Sequence, residues 1–407
     1  MSSDDSSPRF ERVDWNEIQH SRRIVSAERL TLLIGLTLVG GLYLYDRVSP
    51  SLYLVSDWRM TTLDWVFLAS LVVVLAYGVV PVFKHRESVG ETLHRLRSKP
   101  ASLLAMAYLG LLVFAGLFAP VLNLIPSRNF EYNYNPPYGF SIERHDGDLQ
   151  YYRECAGTTT GDAFDQVCHG STQFLLGTNR QGEAVEQLVI AGARPALYVI
   201  IIGAVLVIPL ATAVGIIAGL RGGLIDKLLM SYVDLQLSLP AILIYFIAFM
   251  TWGPSLLILL VAFGLFSWGG IARLVRSEVK QRREHGHVTV ARSLGAPESY
   301  IARRHIVPNI TNTLVPAVCQ LLALFVLYEA GVAFIGFYEA ELRSWGTVIS
   351  SSINAEVAGQ MHSRPEEPAH TIWWVSTFPA LALTFTMVSF KLLGDGLRDA
   401  LDPRGEQ

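Results

Sequence analysis

No lysine in this chain follows a glycine. The lysines stand at 84, 99, 227, 280 and 391, after Phe83, Ser98, Asp226, Val279 and Phe390. The phosphate-cradling pattern G-x-x-x-x-G-K-[ST] therefore cannot occur. A zinc-protease H-E-x-x-H and a G-x-S-x-G nucleophile elbow are also absent. The chain reads as a protein that is not an enzyme and holds no cofactor of its own, and no nucleic-acid partner is expected. Charge is scarce: 16% of the 407 residues are Asp, Glu, Lys or Arg, against roughly 25% in soluble domains. The first 29 residues are polar, with Asp4, Asp5, Glu11 and Asp14. They lack the basic and apolar regions of a cleavable signal peptide and read as a cytoplasmic tail.

What the chain has instead is apolar length. Hydrophobic residues make up 51% of it, and its mean hydropathy is +0.36. Segments long enough to span a bilayer, or nearly so, lie at Leu30–Tyr45, Trp65–Phe83, Ala101–Ile125, Pro195–Leu220, Leu228–Trp252, Ser255–Ile271, Ile310–Phe334 and Trp373–Leu393. The fold class is an all-α polytopic membrane protein with about eight transmembrane helices. Lysine and arginine concentrate in the N-terminal tail, in Lys84–Lys99, in Arg273–Arg304 and at the C-terminus. The positive-inside bias puts these segments and both termini in the cytoplasm. Lys84–Lys99 then faces anionic lipid heads.

Two long insertions fall outside on this topology. Pro126–Arg194 contains Cys155 and Cys168. An outward loop is oxidising territory, which favours a Cys155–Cys168 disulfide over a metal site at Cys168-His169. Cys319 lies in an apolar span as a packing residue. The second insertion, Phe337–Thr371, is either a gate or docking surface, or a solvated loop limited by Pro365 and Pro368. Within the spans, Asp234 and Glu329 are candidates to line a path, because intramembrane charge is costly. The alternative for Asp234 is snorkelling or pairing with Arg276. Pro240 would kink its helix and release a carbonyl. Gly215 and Gly219 form a GxxxG that permits close helix approach.

Between the sixth and seventh apolar runs lies HVTVARSLGAPESYIARRHIVPN, His287 to Asn309. Val288, Ala291 and Leu294 fall on one helical face. Gly295 stops that helix as a left-handed cap, and Pro297 starts a second at its first-turn position. Arg303, Arg304 and His305 close the second helix, where cations suit the dipole. This segment resembles the "EAA" coupling loop of importer-type ABC permeases. Ala291 matches the second Ala, Gly295 the Gly, and Val307-Pro308 the Leu-Pro, while Thr289 and Val290 stand where the family has Glu and Ala. Three further stretches resemble dipeptide/oligopeptide/nickel permeases. Gly177-Thr178 and Gly182 match a GTD…GRD pattern, with Asn179, Glu183 and Ala184 replacing its charged residues. Ser344-Trp345-Gly346 follows Phe334-Ile335-Gly336. Phe390–Arg404 resembles the family's ending, where Gly394 and Gly396 would break the last span.

The resemblance implies the type I ABC importer transmembrane domain and one permease subunit of an ATP-driven importer. It implies a sister permease as heterodimer partner, two ATPase subunits that bind the ATP, an extracytoplasmic substrate-binding protein and contact with membrane lipid. Contact with the ATPase would involve Ala291, Leu294, Gly295, Arg303, Arg304 and Pro308. The path or gate would involve Asp234, Pro240, Glu329 and Trp345. Di- and oligopeptides are the family's usual cargo; nickel and oligosaccharides are carried by relatives. The implied organisation is a tail to residue 29, an extra N-terminal span pair and basic linker over 30–100, and a first family span with its insertion over 101–193. The core then covers 194–396, with the coupling loop at 287–309, and 397–407 form a cytoplasmic tail. Two other classes compete. An ion-coupled secondary transporter would want inverted repeats and paired ionisable residues near midplane; no repeat is obvious, and the charges lie toward span ends. The other is a membrane scaffold or receptor.

Overall fold

The computed structural model describes residues 26–48, 60–119, 121–122, 124–145, 154–161, 165–338, 342–353 and 371–401. The N-terminal tail to residue 25, Pro365, Pro368 and the chain from Asp402 onward lie outside these residues. Helices dominate. Helix α1 is Ala27–Val48, α2 is Thr62–Lys84, α3 is Arg86–Arg97 and α4 is Pro100–Phe118. Helix α5 is Val185–Arg221, α6 is Gly223–Ser238, α7 is Ala241–Trp252, α8 is Leu256–Phe266 and α9 is Gly269–Arg282. Helix α10 is Gly286–Ser293, α11 is Glu298–Phe334, α12 is Trp345–Ile353 and α13 is Trp374–Leu401. Among the described residues seven helical segments, α8 and α9 forming one of them, are long and apolar enough to cross a membrane, or eight with the bent pair α6–α7 taken as one span. The protein is a multi-pass membrane protein.

The helix breaks follow from local chemistry. The α6–α7 pair bends by 69° where Leu239, preceding Pro240, is extended at φ −101°, ψ 113°. The carbonyl that Pro240 leaves behind, on Gln236, is taken by the Leu239 N–H at 3.2 Å, so it is not released into a cavity. Helix α2 widens into a π turn over Leu75–Val79, and α11 does so over Ala302–Ile306. Each lies just before a proline, Pro81 or Pro308, whose ring would otherwise strike the carbonyl four residues back.

Four expectations are corrected. Helix α5 begins at Val185, ten residues before the apolar run, so a boundary at 193/194 falls inside it. Arg303, Arg304 and His305 do not close a helix; they sit in the π turn of a helix that continues to Phe334. Gly394 and Gly396 do not break the last span, which runs to Leu401 across the 396/397 boundary. Both glycines instead allow close approach. A Cβ at Gly394 would lie 3.0 Å from the Cβ of Cys319, and one at Gly396 would strike Ser102. Pro297, moreover, is the N-cap of its helix rather than its first turn.

Helix α5 is the axis of the core, buried along Ala196, Ile202, Val207 and Ala211. In lipid, helices gain little from hydrophobic burial against one another, so close packing of small residues has to hold them. A Cβ at Gly215 would lie 2.6 Å from the Cβ of Val275 and 2.7 Å from the Ala272 carbonyl oxygen; one at Gly219 would lie 2.6 Å from the Cβ of Val279. The GxxxG is thus the contact between α5 and α9. Gly215→Leu is expected to force these backbones apart and destabilise the protein by about 1–3 kcal/mol. Thermal unfolding in nanodiscs checks this, and an unchanged midpoint would contradict it.

The N-terminal pair docks through α2. Asp64 closes a capping box with Thr61. Its Oδ1 also accepts from Arg194 Nη2 at 2.9 Å and from the Tyr198 hydroxyl, both on α5. The Phe67 and Tyr198 rings lie 4.6 Å apart. Helix α1 has no buried residue; Gly35 meets Val72, and Glu28 pairs with Lys84 at 3.0 Å.

Ahead of α5, the described residues of the first insertion include a small antiparallel sheet that composition gave no sign of. Its strands β1 (Ser141–His145), β2 (Thr159–Thr160) and β3 (Asp165–His169) take the order β1-β3-β2. Cys168, opposite Ile142 and Thr159, is bonded to Cys155, 13 residues away. Committing Cys168 to sulfur removes it from any metal site, and His169 Nε2 meets Thr160 Oγ1 at 2.9 Å. Closing a loop of this size stabilises by about 3 kcal/mol in the chain-entropy model. Alkylation without reductant is expected to leave both cysteines unlabelled by mass spectrometry; both labelled would contradict the bond.

Candidate functional site

The hairpin formed by α10 and the start of α11 is built around one glycine. Gly295 takes φ +81°. Its N–H bonds the Arg292 carbonyl, and the Ala296 N–H bonds the Ala291 carbonyl, each at 3.0 Å. These are the paired bonds of a Schellman cap, and Ala291 and Ala296 are buried beneath it. Val288, Ile301 and Ile306 are also buried, so the hairpin has a packed inner side. Arg221 at the end of α5 pairs with Glu298 at 3.2 Å, tying the hairpin to the α5–α6 junction.

Leu294 does not share the face of Val288. Each three-residue step falls about 60° short of a full turn, so two steps carry Leu294 well off that face. It lies 56% exposed beside Val290, which is 59% exposed. Ala291, by contrast, faces inward and positions the helix rather than offering itself to a partner. Arg303, Arg304 and Pro308 are exposed on the stem of α11. The outer side of the hairpin therefore presents two apolar side chains at i, i+4 near exposed arginines.

Above the hairpin, charges are sorted into two groups. Asp226 on α6 is buried and receives Arg276 on both carboxylate oxygens, with Lys280 at 2.7 Å. Asp234 pairs with Arg273, not with Arg276. Both members of that second pair are exposed, and the helix that carries Asp234 also exposes Leu228, Tyr232 and Leu235 as well as Ser231 and Ser238. Pro240 is exposed at the bend beside it.

At the opposite end of the bundle, α12 and the residues before it are locked onto the start of α5. Trp345 is buried and donates from Nε1 to the Val189 carbonyl at 2.9 Å, over Gly192, where a Cβ would strike its ring. Glu183 is fully buried. Its Oε1 accepts from Arg343 Nη2 at 2.6 Å, with Arg128 Nε at 3.6 Å, and its Oε2 accepts from Asn179 Nδ2 at 2.8 Å. Glu329 is buried, with the Tyr338 and Ser344 hydroxyls facing its carboxyl, while its Oε1 makes no hydrogen bond of ordinary geometry. Neither Trp345 nor Glu329 opens onto a surface. Nothing in the sequence marks Arg343, Arg128 or Asp226 as partners; each comes from a segment distant in the chain. The one available signal is Arg343 standing two residues before Trp345.

A family profile described as binding-protein-dependent transport system inner membrane component matches residues 211–407. The oligopeptide transport system permease protein OppC of Bacillus subtilis is 30% identical over 236 residues, covering 58% of this chain and 73% of the relative. OppC of Haemophilus influenzae is 30% identical over 231 residues, covering 56% and 70%. The dipeptide transport system permease protein DppC of Lactococcus lactis is 26% identical over 320 residues, covering 77% and 90%.

Proposed function

The chain belongs to the family of binding-protein-dependent transport system inner membrane components, and from that premise we propose that it is the permease subunit of an ATP-driven importer of di- and oligopeptides. It works in the plasma membrane with both termini and the α10 hairpin in the cytoplasm. A sister permease completes the path as the other half of a heterodimer. Two ATPase subunits bind the ATP, and an extracytoplasmic binding protein delivers the cargo. The concentration of lysine and arginine on the hairpin side supports this orientation.

The observation that carries the reading is the hairpin itself. A short helix with a packed inner side exposes Val290 and Leu294 one turn apart, an apolar pair that suits contact with a partner. A push on that surface passes directly into α9 and from there into α5 through the glycine contact at 215 and 219. The bent pair then changes its exposure. Its face carries the Asp234–Arg273 pair, which lipid would penalise and a water-filled path or a partner accommodates. A two-state switch of opening between the two sides follows.

The test is co-purification of a P-loop ATPase with this chain. Leu294→Asp buries a charge at the contact and is expected to weaken the complex by about 2 kcal/mol or more, the scale of an interface hot spot, without changing membrane insertion. Undiminished ATPase recovery with Leu294→Asp and Val290→Asp would remove the hairpin from the mechanism.

A further inference from the structure

The sheet module carries an apolar tip that neither the core nor the proposed mechanism uses. Gly139, at φ +84°, lets the chain turn so that the Phe140 N–H bonds the Pro137 carbonyl at 3.0 Å, as a type II turn requires. The turn holds out Tyr138, 60% exposed, and Phe140, 53% exposed. The Tyr138 N–H bonds the Leu175 carbonyl at 3.1 Å, which brings in Leu175, 55% exposed. Glu143, Thr159, Thr160 and Gln173 are among the module's exposed polar positions, and Phe130, 64% exposed, is a further apolar one. The turn thus gathers three exposed apolar side chains at one end of a small, disulfide-bonded module.

Contacts fix where that end sits. The Phe140 ring meets the ring of Trp373 at 5.1 Å, and Trp373 meets Phe378 at 6.0 Å. Trp373 immediately precedes α13, and Phe378 is one turn inside it. The row of rings runs from the module tip onto the flank of a membrane span. The module is fastened there: Trp374 Nε1 bonds the Thr178 carbonyl at 3.1 Å, and Ile142 packs on a cluster that includes Val185, Leu188 and Val375. The same end of the bundle carries Tyr43 against Trp65 at 5.6 Å, where α1 ends and α2 begins. Tryptophan and tyrosine collect at this depth because one part of each ring system prefers hydrocarbon and its polar group prefers water.

We propose that Tyr138, Phe140 and Leu175 dip into the headgroup layer of the leaflet beside α13 and seat the sheet module on the bilayer surface. The occupant of this patch is lipid, because the patch is continuous with the lipid-side end of a span. The buried Glu183 and Trp374 contacts set the height at which the module rides.

The test places a single fluorophore on the tip. Tyr138→Cys and Leu175→Cys are made separately in a Cys319→Ala background, with the native disulfide kept and checked by mass spectrometry. Each is labelled with the environment-sensitive dye NBD and reconstituted in phosphatidylcholine/phosphatidylglycerol vesicles. Val290→Cys on the hairpin serves as a water-exposed reference. At 138 and 175 the emission is expected to be blue-shifted, to lose most of its intensity when 5-doxyl lipid is included, and to resist aqueous cobalt. At 290 cobalt quenches and doxyl lipid does not. A tip dye that behaves like the hairpin dye overturns the proposal. Protection from both quenchers that appears only when a substrate-binding protein is added also overturns it, and assigns the patch to a protein instead.

Discussion

Gly295→Val is expected to abolish ATP-driven uptake while leaving the protein inserted in the membrane. The backbone at 295 sits at φ +81°, where a Cβ branched on both sides collides with its own peptide neighbours. The penalty is about 1–2 kcal/mol. The hairpin has a cheaper escape than holding that conformation: it gives up the two bonds of its cap, from 295 to Arg292 and from 296 to Ala291. Once these open, the turn no longer fixes the direction of α10, which carries Val290 and Leu294, relative to the start of α11 with its buried Ile301 and Ile306. The rest of the bundle does not depend on the cap, so expression and insertion remain. Asn tolerates the left-handed region, and Gly295→Asn is expected to retain most of the uptake. Uptake by proteoliposomes holding each variant decides it, and wild-type rates with Gly295→Val would contradict the coupling role.

Asp64→Ala is expected to destabilise the docking of the N-terminal pair by about 3–5 kcal/mol, the range for removing one partner of a buried ion pair. The carboxylate serves three groups at once. It caps α2 through Thr61, it neutralises Arg194 at 2.9 Å, and it accepts the hydroxyl of Tyr198. With alanine there, a half-buried guanidinium and a buried phenol face each other at the boundary of the bilayer without an anion. The unfolding midpoint in nanodiscs is expected to fall, and protease is expected to reach α2 while α5 stays protected. A shift no larger than that of a surface substitution would mean the pair is held by the α2–α5 packing alone.

Much of this architecture is legible because its causes are local. Long apolar runs mark the spans, and Gly295 followed by Pro297 marks a helix stop and restart. Residue pattern alone is misleading where a polar residue belongs to a helix or a glycine belongs to a contact. Helix α5 starts at Val185 because Glu186 and Gln187 are helical outside the membrane, where hydropathy does not register them. Gly394 and Gly396 look like breakers, yet a transmembrane helix keeps its backbone bonds in lipid and uses glycine for approach. The GxxxG at 215 and 219 is common enough by chance to carry no weight until Val275 and Val279 are found against it.

Charge partners were the least legible part. Asp234 reaches Arg273 rather than Arg276, a difference of one helical turn that no spacing rule decides. Glu183 is paired although buried because Arg128 and Arg343, from either side of it in the sequence, converge on it. The sheet that carries Cys168 was equally hidden, since strands of two and five residues leave too short a period to see. In the hairpin the left-handed Gly295 was legible, but the pattern put Leu294 on one face with Val288 and Ala291, and the structure buries those two and exposes Leu294.

The most direct measurement of the central claim is peptide uptake into proteoliposomes assembled from this chain, its sister permease, the two ATPases and a loaded binding protein, with each component omitted in turn. Accumulation against a gradient is expected only in the complete assembly and only with ATP, and it is lost when this chain is left out. Concentrative uptake by this chain alone, driven by a proton or sodium gradient and indifferent to ATP, would contradict the account.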